Sequence, residues 1–348
     1  MQYYKHKLET LLRGLSILIL LVTCADAATI NVPADYTTIQ AAVNNATTGD
    51  TILVQSGTYY ESVNVNKQLT LRGVDSGLGL PVVDAGGSGS AITLSADDCN
   101  LEGFVARDSI SGGAGIYVVS SGNSITGNTA TGNSHGIRLF SSSSNTLSGN
   151  TATGNSRNGI LIQSSNDNTI SSNTATGNTD YGISLSSSSG NTIEANIATD
   201  NTNYGIDLTS SSNGNTINGN TATGSGYGIC LSFSSNGNIL SGNTATGNSR
   251  GIYLGSSNGN TITGNIATGN LYGILLYSSS GITISGNTAN GNSQYSIYLS
   301  SSSSNTITGN TATGSGYGIV LGFSSNSNNI TGNTANGNSQ YGIYLASS

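Results

Sequence analysis

The strongest constraint on this chain is a short phrase that repeats from about residue 115 to the end. Each copy reads Gly-Ile-x-Leu, a serine run, Asn-Thr-Ile-x-Gly-Asn and then Thr-Ala-Thr-Gly-Asn. A fixed period of this length is typical of a solenoid, in which each repeat stacks on its neighbours. The isoleucine of the first element recurs every 21 to 24 residues, at Ile116, Ile137, Ile160, Ile183, Ile206, Ile229, Ile252, Ile274, Ile297, Ile319 and Ile343.

Apolar and polar residues alternate within each copy, which predicts short β-strands with one buried face. Ile137 and Leu139 flank Arg138, and Leu147 lies between two hydroxyl residues. Glycine and asparagine stand between the three strands of a copy, because both accept the left-handed backbone angles of tight corners. The sequence therefore predicts an all-β, single-stranded, right-handed parallel β-helix of about 22–24 residues per coil.

In such a helix each residue stacks on its counterpart one coil away, at roughly 4.8 Å. The pattern predicts inward columns of isoleucine and alanine, the latter at Ala130, Ala152, Ala175, Ala198, Ala222 and Ala245. It also predicts an asparagine ladder hydrogen-bonded along the axis, at Asn128, Asn150, Asn173, Asn196, Asn220, Asn243, Asn265, Asn287, Asn310 and Asn333. A second asparagine row follows five residues later, with Ser225 and Ser315 in two coils, and we expect it to be more exposed. The serine runs are interpreted as loop filler at a corner.

The first 27 residues are typical of a secretory signal. Lys5, Lys7 and Arg13 precede an apolar run over 15–22, and a small-x-small cleavage site follows at 25–27. The apolar run is too short to cross a bilayer, so we expect no transmembrane segment in the mature chain. This division predicts a signal peptide at 1–27, a cap helix and irregular first coils at 28–112, and regular coils at 113–348.

A short amphipathic helix is predicted to cover the first coil. Thr37 and Gln40 have the spacing of a capping box, and Gly49-Asp50 is expected to end the helix. Its apolar residues fall at helical spacing, at Ile39, Ala42, Val43 and Ala46. The opposite end offers no comparable cover. Either the chain is truncated, or its last coil contacts another chain end to end.

The charge and the cysteines limit the classes of partner. After cleavage at residue 27 the chain has 14 acidic and 6 basic residues, and we expect no binding to nucleic acid. Beyond Arg250 there is no charged residue. Cys99 and Cys230 lie about six coils apart, too far for a disulfide bond.

Two N-terminal segments carry a family resemblance. Residues 32–43 and 49–59 resemble the opening of pectin-lyase-like β-helix proteins, and the tandem Asn-Thr-Ile-x-Gly-Asn phrases resemble the NosD-like branch, labelled periplasmic copper-binding. The phrases also resemble repeat-rich surface proteins of methanogenic archaea. The resemblance covers 29–348 and implies the fold; that fold hosts lyases, hydrolases, esterases, binding modules and plain scaffolds.

The copper label is not matched by the residues. Copper sites use clustered histidine, methionine or cysteine, whereas the mature chain has His135, Cys99, Cys230 and no methionine. No two of these share a coil, so no metal site and no cofactor are predicted. A copper-related accessory protein stays as a further alternative.

Carboxylates that could serve an enzyme cluster in one irregular coil. The candidates are Glu194, Asp200 and Asp207. The resemblance to pectin-lyase-like proteins implies that a sugar-cleaving enzyme of this fold would use carboxylates that lie close together. Their positions in the repeat predict three different sides of the coil, so a non-catalytic protein is favoured. A polysaccharide lyase or hydrolase is the alternative, decided by whether the three converge. Arg157 and Asp180 are expected to form a surface ion pair.

A tyrosine column is the predicted binding surface. The position before the repeat glycine is Tyr181, Tyr204, Tyr227, Tyr272, Tyr295, Tyr317 and Tyr341 in seven of eleven coils, and Tyr253, Tyr298 and Tyr344 add outward rings nearby. Rings with a polar tip on an uncharged face suit a neutral polymer such as a polysaccharide or cell-envelope glycan. The other interpretation is that the rings only cover a corner.

Two outward ranks of threonine form a further candidate surface. They come from the Thr-Ala-Thr strands and resemble those of ice-binding β-helices. Threonine is also simply the favoured polar residue of strands, so this surface ranks below the tyrosines. Together the patterns predict a secreted, non-catalytic, structural or adhesive protein of the cell surface that contacts glycans.

Overall fold

The computed structural model describes residues 27–346, so the predicted signal peptide lies outside the described residues apart from its last position. The described chain is a parallel β-solenoid of about 14 coils with three sheets along its length. This confirms the predicted all-β parallel fold. Across 27–346, the structure contains no helix long and apolar enough to cross a membrane.

The first sheet has 14 parallel strands. They span Thr29–Val32, Thr51–Gln55, Thr70–Val74, Asn100–Glu102, Ser124–Thr126, Thr146–Ser148, Thr169–Ser171, Thr192–Glu194, Thr216–Asn218, Ile239–Ser241, Thr261–Thr263, Thr283–Ser285, Thr306–Thr308 and Asn329–Thr331. Thr29–Val32 leads into the N-terminal helix, and each later strand leads through a turn toward the second sheet or its continuation.

The second sheet has nine strands. They span Thr58–Tyr60, Val82–Asp84, Val105–Arg107, Thr129–Thr131, Thr151–Thr153, Thr174–Thr176, Ile197–Thr199, Thr221–Thr223 and Thr244–Thr246. Single parallel bridges continue this sheet from Thr244 through Ile266, Thr288, Thr311 and Thr334.

The third sheet has 13 strands and carries the predicted tyrosines. They span Val63–Val65, Ile92–Leu94, Ala114–Val118, His135–Phe140, Ile160–Gln163, Tyr181–Ser186, Tyr204–Thr209, Tyr227–Ser232, Arg250–Gly255, Tyr272–Tyr277, Tyr295–Ser300, Tyr317–Gly322 and Tyr341–Ala346.

The interior consists of stacked aliphatic side chains, because the strand register aligns like with like. Ile137 pairs with Ile160 and then Ile183 on the third sheet, and Ala130 pairs with Ala152 on the second. All of these side chains are fully buried. The apolar core is therefore a narrow column one coil wide, and it runs the length of the described chain.

The first asparagine row lies buried at the corner between the first and second sheets. From Asn128 to Asn310 each Nδ2 donates to the Oδ1 of the next asparagine, at 2.9–3.1 Å. The backbone N–H of the same residue donates to that oxygen as well, as from Asn150 to Asn173. The Nδ2 also donates to a carbonyl of the preceding coil, as from Asn150 to Ile125. The ladder thus satisfies buried polar groups on every coil.

The expectation that the second asparagine row is more exposed is wrong. Asn133, Asn155, Asn178 and Asn201 are each no more than 1% exposed, at the corner between the second and third sheets. They form the same ladder, as between Asn155 and Asn178 at 3.0 Å. Because these side chains are buried, their polar atoms need hydrogen-bond partners for the same reason as those of the first row.

A third asparagine ladder, not predicted from the sequence, occupies the remaining corner. It is the asparagine of each Asn-Thr-Ile phrase, as in Asn145 and Asn168, whose side chains are 2.9 Å apart from Nδ2 to Oδ1. The interpretation of the serine runs as filler is also wrong in part. One serine per coil is fully buried, and the backbone N–H of Ser165 donates to Ser188 Oγ at 3.1 Å.

The predicted N-terminal helix is present, with different ends. It spans Ile39–Asn45, and Thr38 rather than Thr37 caps it by accepting from the Ala41 N–H at 3.2 Å. The helix ends four residues before Gly49, because Ala46 is already extended.

Residues of the first coils hold both ends of this helix. The Glu61 carboxylate accepts from the N–H groups of Ile39 and Gln40, and Lys67 Nζ donates to carbonyls of its last turn. A negative group therefore lies at the N-terminus and a positive group at the C-terminus, as the helix dipole favours. Ile39, Ala42 and Val43 face the core. The two described cysteines, Cys99 and Cys230, are free and buried.

We predict that Asn220→Ala lowers the free energy of unfolding by about 2–4 kcal/mol. The substitution strands two buried donors of Asn196, its backbone N–H and its Nδ2, which lie 2.9 and 3.0 Å from Asn220 Oδ1. Urea denaturation followed by circular dichroism measures the loss.

The matched control is Asn203→Ala, at an exposed asparagine whose side chain hydrogen-bonds within the described chain only to Asp180 Oδ1, at 3.3 Å. This change should cost less than about 0.5 kcal/mol. Equal losses in the two variants would contradict the assignment of stability to the ladder.

Candidate functional site

The outer face of the third sheet carries most of the unusual side chains of the molecule. Because each strand pairs in parallel register with the next, one position per coil forms a column along the axis. The column before the repeat glycine, here the aromatic column, begins at Tyr181. It continues through Tyr204, Tyr227, Arg250, Tyr272, Tyr295, Tyr317 and Tyr341.

The tyrosine rings of this column stack on one another. The Tyr181 and Tyr204 centroids are 5.1 Å apart with an angle of 18° between the rings, and those of Tyr204 and Tyr227 are 4.8 Å apart with an angle of 24°. Tyr272 and Tyr295 repeat the arrangement at 5.5 Å. These are the distances of favourable aromatic pairs.

Arg250 joins two tyrosine ladders that the sequence presents as separate. Its guanidinium carbon lies 4.6 Å from the centroid of Tyr227 and 5.8 Å from that of Tyr272. The positive charge is therefore held by ring faces on both sides. The result is one continuous column of eight side chains, about 34 Å long at the usual strand spacing.

A second column of rings supports the first from the same face. Tyr298 stacks on Tyr295 at 4.8 Å, and Tyr344 stacks on Tyr341 at 5.1 Å. Tyr253 meets Tyr227 edge to face at 5.4 Å. Most of these tyrosines are half-buried, whereas Tyr341 and Tyr344 in the last described coil are exposed.

Two open grooves follow the aromatic column. One of about 280 Å³ lies beside Tyr204, Tyr227 and Tyr253, with the exposed Phe233 at its rim. A second of about 460 Å³ lies beside Tyr295, Tyr317 and Tyr341, with Phe323 at its rim. Both are lined by rings and small residues and contain no charged side chain.

A third groove, here the charged groove, has a different character. It has a volume of about 370 Å³ and lies at the N-terminal end of the aromatic column, where Tyr181 forms one wall. Its other walls include His135, Arg138, Arg157, Asn158 and Asp207. His135 and Asn158 stand in the column position that tyrosine occupies in later coils.

Asp207 is a buried carboxyl group beneath the tyrosines. Only 5% of the residue is exposed, and burial raises its pKa to about 7. The Cys230 thiol, which lies opposite Asp207 on the adjacent coil, lowers this pKa by a smaller amount. The pKa of Cys230 is itself raised by burial and then by the nearby carboxylate, so the thiol stays protonated at neutral pH.

The three carboxylates considered for catalysis lie on or beside three different sheets. Glu194 ends a strand of the first sheet, Asp200 follows a strand of the second at a left-handed corner, and Asp207 lies in the third. They do not meet in one groove. Arg157 and Asp180 form an exposed pair with 3.7 Å between Nε and Oδ2.

The described residues do not fit a copper site. Across 27–346, no three side chains of His, Cys, Asp or Glu come together in a way that could hold a metal ion. His135 faces two arginines, which lower its pKa after the larger effect of burial, and whose charge would repel a cation. Cys230 lies opposite Asp207, four coils beyond the strand that carries His135.

The threonine ranks of the second sheet are interrupted. Outward Thr151 and Thr174 are followed in register by Ile197, and Ile266 continues the same rank after Thr244. Both isoleucines are nearly half exposed. The flat hydroxyl surface is therefore broken into short stretches.

Comparison with known sequences agrees with the repeat architecture. Residues 83–245 match the model described as a right handed beta helix region, and residues 210–347 match the model of the periplasmic copper-binding protein NosD. A cell surface glycoprotein of Methanothermus fervidus is 35% identical over 130 residues, which cover 36% of this chain. The match spans one fifth of the length of that relative.

Solved structures with the same fold have unrelated sequences. The Dettilon tailspike protein has a TM-score of 0.68 at 16% identity, covering 91% of this chain and 68% of the tailspike. The A-module of mannuronan C-5 epimerase AlgE6 from Azotobacter vinelandii has a TM-score of 0.63 at 18% identity, with 88% and 94% covered. A mannuronic acid specific polysaccharide lyase from human gut microbiota has a TM-score of 0.61 at 13% identity, with 85% and 86% covered. The chain is thus a right-handed parallel β-helix repeat protein, and its resemblance to NosD-like repeat proteins is confirmed.

We predict that Asp207 makes stability fall as pH rises from about 4.5 to 8. Its folded pKa of about 7 exceeds the unfolded value of 3.8, so the folded state holds the proton more tightly. The resulting stabilisation is complete below pH 3.8 and is lost as pH rises through 7. Asp207→Asn should remove this contribution, a difference on the order of a few kcal/mol. The opposite contribution of His135, whose pKa is lowered from 6.5 to about 4, is present in both proteins, so the stability of the variant should rise over the same pH range.

Urea denaturation at pH 4.5 and pH 8 tests this, with the exposed Asp200→Asn as control. Asp50, Asp75 and Asp84 do not confuse the result. Backbone N–H donors lower their pKa values, so their contributions are lost only below pH 3.8. An unchanged pH dependence in Asp207→Asn would contradict the burial argument.

Proposed function

We propose that this protein is an exported cell-surface β-helix that binds a glycan along its aromatic column. The observation that carries the proposal is the continuous stack from Tyr181 to Tyr341, which lies on one outer sheet face. Because the ring faces cover one another, ring edges contact the apolar parts of sugars, and tyrosine hydroxyls exchange hydrogen bonds with sugar hydroxyls.

The shape and the charge of this face support a long, neutral part of a polymer. The column runs for about 34 Å along the axis, and open grooves lie beside it. From residue 251 to the end the sequence has no charged residue. Hydroxyl and amide groups of serine, threonine and asparagine therefore supply most of the polar side chains of this segment, and these groups match a polyhydroxylated ligand.

The surface location rests on two relatives. The named relative from Methanothermus fervidus is a cell surface glycoprotein, and the matching family model is named for a periplasmic protein. The charged start of the sequence, followed by an apolar run, has the pattern of an export signal.

A polysaccharide-active enzyme is the second candidate. It is favoured by Asp207, whose pKa of about 7 suits a group that gives or takes a proton near neutral pH. Asp207 also lines the charged groove together with Tyr181 and Arg157. Against it stands the separation of the carboxylates, since Glu194 and Asp200 lie on other sides of the coil.

We predict that Tyr204→Ala/Tyr227→Ala weakens glycan binding by roughly tenfold or more, because two adjacent stacking rings are removed. A polysaccharide panel that includes cell-envelope glycans, measured by affinity electrophoresis, identifies the ligand and the loss. The Tyr204→Leu/Tyr227→Leu variant keeps part of the side-chain volume, so it separates the effect of lost aromatic stacking from the effect of lost packing.

The control is Tyr60→Ala, at an exposed tyrosine of the second sheet. It should leave binding unchanged. The same loss in the control, or full binding in the double variant, would exclude the aromatic column as the binding surface. New reducing ends or unsaturated products that disappear in Asp207→Asn would favour the enzyme over the binding protein.

A further inference from the structure

The charged groove contains two nearly buried polar side chains without partners in the described chain. His135 is 4% exposed and Asn158 is 5% exposed, yet His135 Nδ1 and Asn158 Oδ1 make no hydrogen bond. Both residues line the groove. A buried polar group that lacks a partner is destabilising, so such groups call for a ligand or another explanation.

Arg138 adds a third unpartnered group to the same groove. Its Nε is buried without a hydrogen bond, while one terminal nitrogen, Nη2, donates to Gln163 Oε1 at 2.9 Å. The guanidinium is held over Tyr117 and Phe140, at 5.4 and 5.3 Å from the ring centroids. Its direction is therefore fixed before any ligand binds.

Arg157 supplies a second guanidinium at the rim. About 61% of its side chain is exposed, and its contact with Asp180 at 3.7 Å exceeds hydrogen-bond length. Burial, and then the two arginines, lower the pKa of His135 to about 4. The imidazole is thus neutral at pH 7 and offers an N–H, while the positive charge of the groove comes from the arginines.

We infer that the charged groove binds an acidic sugar. The carboxylate or sulfate group accepts from Arg157, Arg138 Nε and His135 Nδ1, and a ring hydroxyl donates to Asn158 Oδ1. This assignment gives each unpartnered atom a partner of the right kind. A neutral sugar leaves the guanidinium groups uncompensated, and a metal cation is repelled by them.

The groove also contains acidic groups, and their effect is limited. Asp207 lies at its far end, where burial keeps it protonated for most of the range below pH 7. Asp180 is next to Arg157 and partly offsets its charge. Arg138 has no acidic partner in the described chain and carries the remaining positive charge.

Arg250 shows by contrast why the site is placed here. Its Nε is also buried without a hydrogen bond, but Tyr227, Tyr253 and Tyr272 surround its guanidinium at 4.6–6.0 Å. Rings lie over the guanidinium groups of both Arg250 and Arg138, but beside Arg250 the described chain has no unpartnered acceptor. Within residues 27–346, only the charged groove combines unpartnered donors with an unpartnered acceptor.

This inference deepens the proposed function, on which it rests, because it adds an acidic-sugar subsite at one end of the glycan-binding face. The aromatic column would bind the neutral stretch of the polymer. The first acidic residue of the polymer would then set the register of the chain along the column.

The test uses small probes that do not need the aromatic column. Glucuronate, glucose 6-sulfate, glucose and inorganic sulfate are titrated into the full chain, and the ring resonances of His135 are followed by NMR; His6 is the only other histidine. We expect at least one acidic sugar to shift His135 saturably and to raise its pKa from about 4, since a nearby anion favours the protonated ring. Glucose and inorganic sulfate should bind at least tenfold more weakly than the acidic sugar.

Variants separate recognition from general charge. Arg157→Gln should weaken binding of the acidic sugar by tenfold or more. Arg72→Gln, at an exposed arginine on the first sheet, should leave this binding unchanged. Asn158→Ala should weaken binding of the acidic sugar and leave the response of His135 to inorganic sulfate unchanged. Equal responses to glucose and glucuronate, a response to sulfate as strong as to the sugars, or no response to either acidic sugar would overturn the inference.

The two proposals fail separately in this design. Tyr204→Leu/Tyr227→Leu should leave the His135 response to glucuronate intact even where polymer binding is lost. If polymer binding depends on the tyrosines while His135 stays silent, the aromatic column remains and the acidic subsite is wrong. The reverse result would retain the subsite and exclude the column.

Discussion

The hydrogen-bonded ladder of asparagine side chains is the interaction on which the rest of this structure depends. A coil of 22–24 residues needs three sharp corners, and each corner turns backbone polar groups toward an apolar interior. In most of the regular coils, one asparagine at each corner accepts from the coil before it and donates to the coil after it, as Asn150 does for Asn128 and Asn173. The buried polar groups of one coil are thus completed only by its neighbour, which makes stacking obligatory.

The binding face follows from the same stacking. Parallel register places identical positions above one another at the spacing of a sheet, which is also close to the spacing of stacked rings. One tyrosine per repeat is therefore enough to build a continuous aromatic surface. Where the repeat departs from tyrosine, the chemistry of the surface changes abruptly. Arg250 is enclosed by ring faces, while His135 and Asn158 leave unpartnered polar atoms in a groove.

Similarity of fold does not choose between binding and catalysis here. Epimerases, lyases and a tailspike share the coil architecture at 13–18% identity, and the fold is compatible with each. The distinguishing features lie in the side chains of this chain. Its carboxylates Glu194, Asp200 and Asp207 are divided among three sides of one coil, whereas its rings are gathered on one face.

The period and the alternation of the sequence determined the solenoid, the three strands per coil, and the residue types that stack, because these depend only on spacing. The repeated tyrosine likewise predicted the aromatic column. Tertiary structure decided the burial and the contacts of individual side chains, which the sequence spacing does not specify. The second asparagine row is as buried as the first, since corner geometry rather than residue type sets its depth. The guanidinium of Arg250 bridges two ladders, and the buried atoms of His135, Arg138 and Asn158 lack partners. Those properties depend on side-chain direction and on neighbours one coil away, which no single repeat contains.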